Sequence, residues 1–161
     1  MKVVEIILTI CRRKKKGFGM FVVLGWREKK WKKYADISDK SQDIFRYHHL
    51  NIYQEPTNIE KTINFDGAIL INRRGEIIDS GIIIEGLRPK ETAFKINAAG
   101  HYSDLSERFG FKWKVHMRHL SAITASYKFK NTTIFTVSDE TGDFHIFEKG
   151  RIIFSTVEEE K

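Results

Sequence analysis

The 161-residue chain is 41% hydrophobic and 12% aromatic, enough for one well-buried core and too short for a second domain of ordinary size. Its 28 Lys and Arg against 21 Asp and Glu give a net charge of +7, which favours polyanionic partners: the phosphates of a nucleotide, nucleic acid, or an anionic membrane surface. No apolar run reaches the length of a membrane span, and the lone Cys11 excludes an internal disulfide and a cysteine-based zinc site, so a soluble, cytoplasmic protein is expected.

Residues 2–16 place Val3, Ile6, Ile7 and Ile10 at helical spacing, with basic residues at the end where the helix dipole favours them and Gly17 as a stop. A helix is expected, although the β-branched content also suits a strand. "VVEIILTIC" is too short for a span, and positive charge follows it, so it does not read as a signal peptide. The apolar run "MFVVLG" at 20–25 reads as a strand buried on both faces. Residues 26–56 show little period. The basic clusters "RRKKK" at 12–16 and "REKKWKK" at 27–33 are either solvated surface or a landing place for a polyanion.

Thr57 followed by Glu60 has the spacing of a capping box, so a short helix carrying Ile59 and Ile63 is expected. "AILIN" and "EIIDSGIII", joined by "RRG", read as a β-hairpin. Residues 85–116 are mixed, punctuated by Pro89 and Gly100, with "SDLSERFG" as a helix closed by glycine. "MRHLSAITASYKF" sets Leu120, Ile123 and Tyr127 near one helical face. "TTIFTVSD" is then a strand, "ETGD" a turn, and "FHIF" and "RIIFSTV" are strands joined by "EKG". The order predicts an α/β fold with a mixed central β-sheet flanked by helices, forming a single domain over 1–157 with a frayed acidic tail at 158–161.

Polar residues interrupt the apolar pattern at three element ends: Asp66-Gly67 before a strand, Arg118-His119 at a helix start, and "SDETG" at 138–142 after a strand. Such ends present free backbone N–H groups and helix dipoles, so three of them could form one site. Each also has a structural reading: a helix-to-strand turn for Asp66, a surface cation for Arg118, a half-buried imidazole for His119, and a hairpin turn for "SDETG". The other histidines show no metal-ligand spacing, and Trp26, Trp31 and Trp113 read as packing residues.

"FDGAILINRRGEIIDSGIII", "RHLSAITAS" and "TIFTVSDETGDFHIFEKGRI" resemble, in order and wording, the diadenylate cyclase family, also called the DAC or DisA N-terminal domain family; "GFGMFVVLG" extends the likeness upstream. The resemblance implies condensation of two ATP into cyclic di-AMP with release of two pyrophosphates, supported by Mg or Mn. It also implies a homodimer or higher homo-oligomer whose domains meet face to face. It assigns Asp66 as the catalytic and metal-binding carboxylate, and Gly67, Ala68, Arg118, His119, Ser138, Thr141 and Gly142 to the nucleotide. These types suit the task, since a carboxylate holds a metal or takes a proton, glycine and alanine leave room beside the backbone, and arginine offers a fork of donors to phosphate.

The chain departs from the family pattern as well. Leu120 stands where a second arginine is expected, so one cation is missing or is supplied from elsewhere, for example Lys112 or Lys114; His116-Met117 replaces the usual Gly-Thr, and the acid often found just upstream has no clear match, Glu107 standing eleven residues before Arg118. The alternatives are therefore a DAC-like nucleotide-binding sensor without turnover and, from the basic clusters, a nucleic-acid-binding domain.

Overall fold

The computed structural model describes residues 2–14, 17–37 and 39–160. Lys15 and Lys16, the end of the expected first helix and of its basic cluster, lie outside the described residues, as do Met1 and Lys161 at the outer bounds of the expected domain and tail.

Helix α1 (Lys2–Arg13) buries Val3, Ile7 and Ile10, one stripe of the helical period, so the helical reading wins over the strand. Strand β1 (Met20–Leu24) follows, then short α2 (Glu28–Trp31) and edge strand β2 (Ala35–Ile37). The expected hairpin is β3 (Ala68–Ile71) and β4 (Ile77–Ile84). Helices α3 (Pro89–Ile96), α4 (Leu105–Phe109) and α5 (Met117–Lys128) come next, then β5 (Thr133–Val137), β6 (Phe144–Glu148) and β7 (Arg151–Ser155).

All seven strands form one sheet in the order β2-β4-β3-β1-β5-β6-β7. The β1–β3 pair is parallel and the other neighbours are antiparallel, which makes the sheet mixed. Central β1 is covered on both faces. Phe21 and Val23 join Ala122, Ile123, Ala125 and Phe129 under α5, while Met20 and Val22 join Val3, Ile7 and Ile10 under α1. Each such large apolar side chain contributes about 1.5–3 kcal/mol on full burial.

Residues 56–62 form a 3-10 helix rather than a capping-box α-helix: Pro56 stands at its first position, so Thr57 lies inside the helix and not at its cap, and Glu60 pairs with Arg13. The segment before it is pinned by Arg46, whose Nε donates to Asp79 Oδ1 on β4 at 2.9 Å and lies 3.1 Å from Asp43. Burial of Asp43 raises its carboxyl above the usual range, against the pull of Arg46.

The acidic tail is not frayed at Glu160, whose side chain is 2% exposed. It accepts hydrogen bonds from the Lys112 N–H (2.8 Å) and Ser155 Oγ (2.8 Å) and pairs with His145 Nε2 at 2.6 Å. Among the described residues no helix is long and apolar enough to cross a membrane.

Candidate functional site

The β3–β4 ladder pairs Ala68 with Ile82, Leu70 with Asp79 and Ile71 with Ile77, so β4 bulges twice against β3. Gly81, at φ +65°, carries the first bulge, and a Cβ there would strike Gln42. Gly67 sits where the strands open. A Cβ on it would lie 2.4 Å from Gly81 C and Ile82 N, so only glycine lets the two backbones approach this closely.

Asp66 is thereby carried to the rim. Its backbone N–H donates to Gln42 Oε1 at 3.1 Å, and among the described residues its carboxylate has no hydrogen-bond or ion-pair partner. A carboxylate fixing a turn would accept a nearby backbone N–H, and this one does not.

A cavity of about 400 Å³ opens beside it, walled by Asp66-Gly67, the end of β4 at Ile82–Ile84, Phe21 of β1, the start of α5 with Met117, Arg118 and Ser121, and Asp139-Glu140 after β5. His116, at the N-cap of α5, makes no side-chain cap hydrogen bond. A cation in a first helical turn opposes the dipole, and Asp139 offsets this at Arg118, whose Nη1 donates to Asp139 Oδ1 at 3.3 Å. His116 and Glu140 pair at 3.2 Å across the mouth.

Gly19 holds Arg118 in place. A Cβ on Gly19 would meet Arg118 Nη1 at 2.5 Å and Nη2 at 2.6 Å, so the guanidinium lies where a side chain would otherwise be. Gly19 is in turn clamped by Asn64, whose Oδ1 accepts the Gly19 N–H (2.8 Å) and whose N–H donates to the Gly19 carbonyl (2.7 Å). The Asp66 loop and the Arg118 slot are thus one hydrogen-bonded unit.

Of the expected residues, the structure brings Asp66, Gly67 and Arg118 together on this cavity. Ala68 is fully buried in β3. Ser138, Thr141 and His119 line a smaller adjoining hollow of about 90 Å³, which shares His116 and Glu140 with the main cavity. The hydroxyls there serve the turn: Ser138 Oγ accepts the Thr141 N–H at 3.3 Å, and Thr141 Oγ1 donates to Asp143 at 2.5 Å. Gly142 supplies the turn's positive φ of +75°.

His119 points inward, edge-on to Phe111 and to His145. Burial above all, then the nearby His145 and Arg118, lowers its pKa to about 4, so at neutral pH it is no phosphate-binding cation. Leu120 packs against the core under α5. Lys112 is paired with Glu159 at 3.1 Å, and Lys114 faces the smaller hollow. Neither replaces the missing arginine on the main cavity. Glu107 is spent locally: it accepts the Ser103 N–H at 2.5 Å and the Ser103 Oγ–H at 2.7 Å, bonds that hold its carboxyl below the usual range, while Asp104 caps α4.

Sequence reasoning missed Gly19, Asp139 and Glu140. The last two lay inside the quoted "SDETG", whose polar run signalled them; a glycine ahead of a strand signalled nothing about an arginine a hundred residues on. Among the described residues no three His, Cys, Asp or Glu gather to hold a metal; the carboxylates that line this cavity are Asp66, Asp139 and Glu140.

No family model matches the sequence, and no curated protein matches it. Solved structures do. A hypothetical membrane spanning protein from Bacillus cereus is 19% identical with a TM-score of 0.57, over 93% of this chain and 59% of that one, so the chain spans about three-fifths of its length. DacA from Staphylococcus aureus is 14% identical with a TM-score of 0.56, over 98% of this chain and 86% of that one. At such identities the likeness is one of fold.

Proposed function

We propose that the cavity takes the phosphates of ATP and that two copies of the chain, meeting face to face, condense two ATP into cyclic di-AMP and two pyrophosphates. The observation that carries this reading is the Asp66 carboxylate, without a partner among the described residues, standing with Gly67 and Arg118 on one cavity. The fold shared with DacA and the three motifs that resemble diadenylate cyclases support it.

In each transfer a ribose 3′-oxygen bonds to the α-phosphorus of the other nucleotide, the bond from that phosphorus to the pyrophosphate oxygen breaks, and the hydroxyl proton passes to a base. Asp66 is that base or the holder of the metal. Bound Mg or Mn would neutralise phosphate charge and acidify the hydroxyl, and one or two protein carboxylates completed by phosphate oxygens and water fit such an ion. Arg118 binds phosphate oxygens once it turns from Asp139, and Gly67 keeps the strand mouth clear of side chain. Opposed protomers supply proximity, so an isolated subunit binds ATP without cyclising it.

A second reading, a nucleotide sensor without turnover, is favoured by Leu120, partly buried against the core where the resemblance leads one to expect a cation. Incubating purified protein with ATP and Mg or Mn over a range of protein concentrations, with products separated by chromatography and mass, decides between them. Cyclic di-AMP formed at a rate per subunit that rises with concentration is the expected result. Unchanged ATP despite binding leaves the sensor, and no binding removes both.

A further inference from the structure

The opposite end of α5 carries a second hollow, of about 410 Å³, where the basic run after β1 meets the end of the helix. Arg27, Lys30 and Lys33 come from one side, Lys128 and Lys130 from the other, and no Asp or Glu lines it. Among the described residues none of these five forms an ion pair. Protein surfaces ordinarily intersperse the two signs, and cations converging on one concavity repel each other unless an anion joins them. Ten residues of α5 separate Arg118 from Lys128, so this hollow lies about 15 Å along the helix from Arg118.

We propose that this hollow is a second binding site, for a short oligophosphate chain, independent of the cavity at Asp66. The floor says which part of a ligand it takes. Trp31 and Phe129 are buried against one another, 6% and 1% exposed, with ring centroids 5.0 Å apart. Lys128 Nζ stands 4.1 Å from the Tyr34 ring centroid and Lys33 Nζ 5.1 Å from it, while the Arg27 guanidinium lies 5.9 Å from that of Trp31. The rings hold the cations rather than offering faces to bases. Lys128 is further fixed by donating to the Gly86 carbonyl at 2.6 Å.

The described part of the other basic cluster does not extend this surface into a nucleic-acid track. Arg12 and Arg13 end α1, which packs on the opposite face of the sheet from α5, and Arg13 is paired with Glu60. A compact anion of a few phosphates fits a bounded hollow; a long polyanion needs a continuous stripe.

The test is calorimetric titration of the full chain carrying Arg118→Ala, which weakens the other cavity, with sodium tripolyphosphate in the absence of divalent metal. The expected result is binding at one site per chain that survives Arg118→Ala. It should weaken about tenfold or more on adding Lys30→Glu and Lys33→Glu, since each removes a charge-assisted hydrogen bond. Both lysines are exposed, so the thermal midpoint should not move. No binding, binding untouched by the two reversals, or orthophosphate binding as tightly as tripolyphosphate overturns the proposal. Tighter binding of an unphosphorylated oligonucleotide, with affinity growing with its length, overturns it in favour of nucleic acid.

Discussion

A methyl group placed on Gly19 would stand 2.5 Å from Nη1 of Arg118, because the arginine occupies the space that the glycine leaves. The atoms displaced would be the far end of a flexible side chain, not backbone. Gly19→Ala should therefore leave the thermal midpoint nearly unchanged while weakening ATP binding about tenfold, the cost of moving one charge-assisted donor. Equilibrium binding and thermal melts on the same sample check both halves; a large fall in midpoint would show that Gly19 serves the fold.

Gly67→Ala should behave in the opposite way. Its Cβ would meet backbone of Gly81 and Ile82 at 2.4 Å, which cannot swing aside. A loss of about 1–3 kcal/mol is expected, read as a drop of roughly 2–12 °C in thermal midpoint.

Asp66→Asn should abolish cyclic di-AMP formation and change stability by less than about 0.5 kcal/mol, since among the described residues the carboxylate makes no hydrogen bond or ion pair. Denaturant unfolding beside the product assay checks this. A marked loss of stability would return Asp66 to the role of a turn residue.

His119 makes stability depend on pH. Its folded pKa of about 4 lies below the ordinary 6.5, so the unfolded chain binds the proton more readily. The contribution of the neutral imidazole is fully present above pH 6.5 and is lost as pH falls from 6.5 toward 4, by about 3 kcal/mol at most. Urea unfolding at stepped pH should show that slope, and His119→Phe should flatten it. An NMR titration placing His119 near 6.5 would remove the effect.

Glu160→Ala should cost about 3 kcal/mol, because it strips a carboxylate that is 2% exposed from a buried His145 and from two other donors. A melt lowered by roughly 10 °C is the expected readout. An unchanged melt would mean that the last residues do not hold this position in solution.

Much of this architecture could be read in the sequence because hydrophobic period and glycine punctuation act locally. The β3–β4 hairpin, α5 and the C-terminal strands follow from runs that need no partner to be recognised. Edge strand β2 is three residues long with Asp36 in its middle, too short for any period, and exists because β4 offers it an edge. Glu160 sits in a run of acids that by composition belongs in water, and only the fold brings His145 to meet it. At the site, Asp66-Gly67 and Arg118 were legible as polar breaks at element ends, whereas the Gly19 slot depends on tertiary contact alone. His119, next to Arg118 in sequence, is turned about 100° round the helix from it, which brings its imidazole against Phe111 and His145.

Strand β1 lies between β3 and β5, joining its own N-terminal segment to one reached only near the end of the chain. Non-local pairings of this kind form late and slowly in folding, since the loop entropy must be overcome first. A growing chain halted before Thr133 would already contain Asp66, Gly19 and Arg118, yet β1 would have one free edge and Arg118 no Asp139 to face. The cavity at Asp66 is in this sense a property of a chain made through β5, and a shorter one should expose apolar β1 to aggregation or chaperones before that cavity is complete.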